Sequence, residues 1–349
     1  MDDTPPQSRS PLSRPLSKTS TAIIVTSAML SFISFWRAAA VVLCDLASSA
    51  YYVGGIAEKS IGKAAPWFVL GVMLFANLVR IVYIESCAMF VRGGVYKTVR
   101  TALGSNMAKV AVSALMFDYI LTGPISSVSA GHYLASFINF LLPLVHIPWR
   151  LPENQSSMLI AIIITLYFWR KNIMGIEESS EKSLKIMKWT GVMVIMIIVW
   201  SLITIFIRGA ELPPFKPQLS DHALGWFQDI PWIRTIGLFG IIIGMGHSIL
   251  AMSGEESLAQ VYRDIESPKL KNLIRAGIVI SVFSILFTAL ATFFAVMIIP
   301  DDVRVSEYGK NLIVGLAGHL AGPASLKFLF KAFVVVMGAV ILGGAVNTA

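Results

Sequence analysis

Apolar runs long enough to cross a lipid bilayer recur along the chain after residue 20, and they constrain the fold more than any motif does. Hydrocarbon offers no water to backbone N–H and C=O groups, so each run must close its hydrogen bonds internally as a helix. Runs of about 17–25 residues, the length that spans the hydrocarbon core, fall near 31–60, 65–90, 107–143, 157–173, 184–208, 234–262, 272–299 and 324–349. Composition agrees. Apolar residues make up 56% of the chain, charged residues 14%, and mean hydropathy is +0.73, more than a soluble surface carries. The expected fold is an all-α integral membrane bundle with about eight transmembrane helices.

Two of the runs are interrupted by small polar residues. The first reads Asp45-Leu-Ala-Ser-Ser-Ala-Tyr-Tyr-Val-Gly-Gly55 and the second Ala251-Met-Ser-Gly-Glu-Glu-Ser257. Backbone freed from helical bonding is tolerated at membrane depth only where it is buried in protein or lines a cavity. A pair of such breaks in corresponding positions marks a transporter binding site. Asp45 places a carboxylate in an apolar run, which is costly and points to cation binding or proton exchange; a neutral helix cap is the structural alternative. A helix opened at Ser48-Ser49 offers carbonyls to a cation and bare N–H groups to a carboxylate. Gly54 and Gly55 permit close backbone approach or tight helix packing.

At the second break Ser253 and Gly254 precede Glu255 and Glu256, adjacent residues that point about 100° apart on a helix. Both therefore do not serve one site, and Glu255 is expected to cap the helix or pair with a neighbour. In the third crossing Tyr119, Thr122 and Ser126 share one stripe, a hydroxyl pattern that packing and back-bonding also produce. Arg80 and Glu85 lie too far round their helix for a local pair, so each is expected to reach another helix.

Residues 1–20, rich in Pro, Ser and Arg, are expected to form a disordered cytoplasmic tail rather than a signal peptide, with the transmembrane domain over 21–349. The stretch Thr21–Phe35 is expected to be a surface helix or a lead-in. A cytoplasmic N-terminus puts 16 of the 28 Lys and Arg on cytoplasmic connections, in the sense of the positive-inside bias. Trp67, Trp149, Trp226 and Trp232 then mark the outer boundary. The expected location is the cell membrane, as a multi-pass protein. The net charge of +8 lies on connections between apolar runs, so positive loops account for it and a nucleic acid partner is not expected. Cys44 and Cys87 sit in apolar runs and suggest neither a disulfide framework nor a metal set. No nucleophile with an orienting base and no His or Cys cluster is visible, so neither an enzyme nor a bound cofactor is expected. No repeated filter loop suggests a channel.

Five pieces taken together resemble a known family. They are Asp45-x-x-Ser-Ser-x-x-Tyr52, Gly93-Gly-Val-Tyr-Lys-Thr-Val-Arg-Thr-Ala-Leu-Gly104, Asp118-Tyr-Ile-Leu-Thr with Ser-Val-Ser-Ala-Gly131, Ser253-Gly-x-Glu256, and Ala345-Val-Asn-Thr-Ala349. Over Arg37 to Ala349 they resemble the amino acid-polyamine-organocation superfamily, nearest its bacterial proton-coupled amino acid permeases and potassium importers. The resemblance implies a leucine-transporter-like fold of two inverted five-helix repeats, with substrate between the broken first and sixth helices. By position it implies substrate-binding roles for Ser48, Ser49, Tyr52, Tyr119, Thr122, Ser126, Ser253 and Gly254, and ion-coupling roles for Asp45, Asn347 and Thr348.

Two departures stand out. Met89-Phe-Val-Arg-Gly-Gly-Val-Tyr lacks the family's Pro-containing, Gly-rich lead, and Thr190 stands where some proton-coupled relatives carry Lys. Because the family fold has ninth and tenth helices, the chain is expected to be a fragment cut after the eighth, and not to transport alone. The implied activity is secondary transport by alternating access, taking up amino acids with protons. Import of potassium or another monovalent cation is the alternative. The implied partners are a small-molecule substrate (an amino acid or a cation), a coupling proton or sodium, and the lipid bilayer.

Overall fold

The computed structural model describes residues 32–90, 94–174, 180–230 and 237–348. The expected tail over 1–20, most of the lead-in over 21–35, Gly93 and Trp232 lie outside these residues, as does the side chain of Thr348. The described residues are helical and contain no strand; one isolated bridge joins Ile33 to Ile265.

The first crossing consists of α1 (Phe35–Leu46) and α2 (Val53–Ile61), separated by a 3-10 turn over Ala47–Tyr51. Gly62, with φ of +68°, reverses the chain, a conformation that glycine adopts without steric cost. The chain returns as α3 (Ala65–Met89). The apolar stretch Phe35–Met89 is thus a hairpin of two crossings. Next come α4 (Gly94–Leu103), α5 (Ser105–Leu141), α6 (Glu153–Ile173) and α7 (Ser180–Arg208). The second broken crossing is α8 (Gly237–Ser248) followed by α9 (Ser257–Val261). Then α10 (Lys269–Ile298) carries a π turn at Ile285–Ala289, and α11 (Leu312–His319) precedes α12 (Ala324–Thr348).

Among the described residues, six stretches are long and apolar enough to span a bilayer. Glu153–Ile173 falls outside that set because Glu153, Arg170 and Lys171 sit at its ends, yet its 21 residues reach about 30 Å at the helical rise. The eight apolar runs read from the sequence all correspond to helical segments. The connection after the second run is itself helical, forming α4, which the apolar pattern could not reveal.

The first half of each broken crossing packs on the second half of the other: α1 lies against α9, and α8 against α2. The two therefore run antiparallel with their breaks side by side, the inverted relation that the resemblance implied. The π turn of α10 packs on the first break. There Tyr51, fully buried, meets the ring of Tyr133 from α5 at 5.3 Å and that of Phe287 at 5.5 Å, both edge-on. Along α12, Gly338 passes Tyr51 and Gly344 passes Cys44, which fixes the register of α12 against the first crossing.

One face of the bundle holds the start of α1 and the residues Lys97, Lys109, Arg170, Lys171 and Lys185; it is called here the basic face. On the far face, the connections over 209–233 and 300–323 fold back on the bundle. Trp67 Nε1 donates to the Pro213 carbonyl at 2.8 Å, and the Gln218 and Ser220 amides donate to Ile61 and Ser60. Trp226 and Trp149 are exposed at this face. Arg304, 1% exposed, donates to Glu58 at 2.7 Å, to Asp301 at 2.7 Å and to the carbonyls of Val296 and Ile299 at the end of α10. Burial would raise the Asp301 carboxyl, but Lys63 and Arg304 outweigh it and hold it below the usual range. The stability from this brace is therefore complete above the ordinary aspartate pKa and fades as pH falls through the lowered value.

Close helix approach at α5 and α6 depends on Gly131, where an added Cβ would run into the Ser157 backbone. Gly131→Val is expected to cost roughly 1–3 kcal/mol through overpacking, read as a lower unfolding temperature in detergent. Gly191→Ala, at a position with open space around it, is expected to leave that temperature unchanged.

Candidate binding site at the two helix breaks

The breaks are bolted together by one hydroxyl. Ser49 Oγ donates within reach of the Leu46 carbonyl at 2.7 Å and the Ala251 carbonyl at 3.0 Å, so the freed carbonyls of both breaks share one donor. Tyr133 OH caps the Tyr51 carbonyl at 2.8 Å. This satisfies backbone groups that would otherwise be costly at membrane depth.

Several N–H groups at the breaks are closed as well. At the first break Tyr52 N bonds to Ser49 O. At the second, the amides of Ser253, Glu255, Ser257 and Leu258 bond to the carbonyls of Leu250, Met252, Gly254 and Glu255. Tight turns thus consume part of the donors that a straight reading of two half-helices leaves open.

Asp45, 6% exposed at the end of α1, reaches the second break. Its Oδ2 accepts from Ser257 Oγ at 2.9 Å. Gly254 has φ of +95°, and a Cβ there would lie 3.0 Å from Asp45 Cγ. Only glycine fits, for backbone conformation and for space. A larger residue at 254 therefore strikes Asp45 itself, and does not discriminate an anion site from a cation site.

From α5, the Asp118 side chain lies near Ser253, and Tyr119 OH is hydrogen-bonded to Gln260 Nε2 beyond the same break. Thr122 turns its hydroxyl back to the Asp118 carbonyl at 2.9 Å. Ser126 is fully buried with its hydroxyl unpartnered. Ser48 and Tyr52 are buried near each other. Glu255 pairs with Arg80, as Nε to Oε2 at 3.0 Å and as Nη2 to Oε1. Glu256 stays outside that pair and lies within electrostatic reach of Asp45 and Asp118.

The structure thus brings Asp45, Ser48, Ser49, Tyr52, Tyr119, Ser253 and Gly254 to the paired breaks. Asn347 lies at the end of α12. The register that sets Gly344 against Cys44 carries the end of α12 past the break toward the start of α1. Thr190 is buried beside Cys44 and Ala47 with its hydroxyl on the Ile186 carbonyl, so no cation is fixed there. Asp118, Glu256 and Ser257 were not singled out as ligands from the sequence. The cost argument that selected Asp45 applies equally to Asp118, whereas Ser257 needed the fold.

A cavity of about 1070 Å³ opens beside α9, between Phe32, Ser86, Phe90, Leu115, Glu256, Gln260, Arg263 and Lys269. It reaches Glu256 from the basic face. On the far side a cavity of about 370 Å³ ends on Tyr52 and is flanked by Pro124, His132 and Lys310. Asp45 lines neither cavity. Among the described residues no group of three His, Cys, Asp or Glu side chains could hold a metal.

An all-helical membrane bundle whose two broken helices cross at a buried polar centre is the architecture of the permeases. The family model for amino acid permeases matches residues 33–349, and the chain belongs to that family, within the amino acid-polyamine-organocation superfamily. It is 22% identical over 267 residues to the potassium transporter KimA of Bacillus subtilis (strain 168). The match covers 72% of this chain and 40% of the length of that relative.

Asp45→Asn keeps the size of the side chain and removes its charge. The account expects ion affinity to fall roughly 10- to 100-fold, the scale of a charge-assisted contact, with the unfolding temperature in detergent retained. Unaltered ion binding by the Asn variant would reduce Asp45 to a helix cap.

Proposed function

We propose that the chain forms the binding core of a secondary carrier for a monovalent cation, potassium in the first instance, moved by alternating access and coupled to protons. One observation carries this: the second break holds a carboxylate of the protein's own. An amino acid substrate needs N–H donors for its carboxylate. At the second break the amides of Ser253, Glu255, Ser257 and Leu258 are bonded within the chain, and Asp45 occupies the Ser257 hydroxyl and the Gly254 approach. Asp45, Asp118 and Glu256 converge with serine, threonine and tyrosine oxygens, which suits a dehydrated cation and repels an anion. The potassium transporter relative points the same way. The geometry therefore favours the cation alternative over amino acid uptake.

In this scheme the basic face is cytoplasmic, in the sense of the positive-inside bias, and the protein lies in the cell membrane. The cavity to Glu256 is then the cytoplasmic vestibule, and Tyr52 closes the path from outside. Asp45, with Ser48, Ser49, Tyr119, Thr122 and Ser126 near it, holds the ion. Glu256, the one of the three carboxylates that lines the vestibule, exchanges the coupling proton.

Counterflow in proteoliposomes tests the proposal. Rubidium exchange is expected to saturate, to be competed by potassium, and to be unaffected by amino acids. Saturable exchange of an amino acid that potassium does not displace would overturn it.

A further inference from the structure

Four carboxylates meet near the second break, and the fold neutralises one of them. Arg80 on α3 is 4% exposed and grips Glu255 with two nitrogens. Its third nitrogen, Nη1, donates to Asn77 Oδ1 at 2.9 Å, which also accepts from Ser281 of α10. Its stem lies against Gly277, where an added Cβ would come within 3.3 Å of Arg80 Cδ. The guanidinium is therefore pinned by α3, α10 and the second break together, and has no freedom to swing from Glu255 to its neighbour Glu256.

We infer that Arg80 sets the charge of the ion site: by cancelling Glu255 alone, it leaves Asp45, Asp118 and Glu256 as the uncompensated carboxylates that hold the cation and the coupling proton. Arg80 acts through Glu255 and is a positioning residue, not a ligand. The inference rests on the cation reading given above. Adjacent residues in a medium of low dielectric feel one another's charge strongly, so freeing Glu255 adds a negative charge next to Glu256, and freeing Arg80 adds a positive one.

The two single substitutions must therefore move cation affinity in opposite directions, which a mere structural brace does not do. Equilibrium binding of rubidium to the purified protein is the readout. Arg80→Met is expected to tighten the Kd roughly tenfold and Glu255→Gln to weaken it roughly tenfold, on the scale of one nearby charge. The double variant Arg80→Met/Glu255→Gln, which leaves no uncompensated member of the pair, is expected to bind within about threefold of the native protein. If Arg80→Met does not fold, weakening by Glu255→Gln and recovery in the double variant carry the test. Single variants that shift in the same direction, singles that leave Kd unmoved, or a double variant that does not recover would overturn the inference. Absence of rubidium binding by the native protein would instead overturn the cation reading itself.

Discussion

The contact between Asp45 and the second helix break is the constraint on which the centre of the molecule depends. Two helices opened at membrane depth must account for every freed backbone group, and most of that is done by 3-10 turns and by the hydroxyls of Ser49 and Tyr133. What the turns cannot supply is a partner for a carboxylate. Asp45 finds one in Ser257 and a space at Gly254, whose φ of +95° and missing side chain let the first crossing touch the second. The same contact occupies the position at which an anionic group would approach. In the proposed function, structural closure and cation preference are one feature.

Two buried ion pairs flank that centre, Arg80 with Glu255 toward α3 and Arg304 with Glu58 on the far side. Breaking either by removing one partner is expected to cost roughly 3–5 kcal/mol, because the survivor is left charged and dry. Their settings differ. Arg304 keeps three of its contacts within its own segment, on Val296, Ile299 and Asp301, and only Glu58 belongs to α2. Separation of α2 from the far connections therefore breaks one contact of four, whereas Arg80 is held by α10 as well as by its own helix.

Most of the architecture was legible in the sequence, because span length and the interruption of apolar runs report directly on membrane helices. The breaks at Ser48-Ser49 and Ser253-Gly254 lie where small polar residues said they would. Glu255 found a partner on a neighbouring helix, as the 100° offset from Glu256 required. The hydrogen-bond state of the breaks was not legible: tight turns at Ala47–Tyr51 and Ile249–Met252 close donors that a pattern of residue types leaves open. Asp118 adjoins the hydroxyl stripe of Tyr119, Thr122 and Ser126, and the cost of a carboxylate in an apolar run applies to it as it does to Asp45. The placement of Asn347 depends on the register of α12 against α1, which no periodicity within one helix can give.

The central claim is that a cation sits where Asp45 meets the second break, and an anomalous-difference map from crystals soaked in thallium, a heavy potassium congener, tests it most directly. The account predicts a peak bounded by Asp45 and the α5 residues Asp118, Tyr119 and Thr122, removed by excess potassium. A map without that peak, together with an amino acid carboxylate lying on Gly254 and Ser257 and Asp45 turned away, would contradict it.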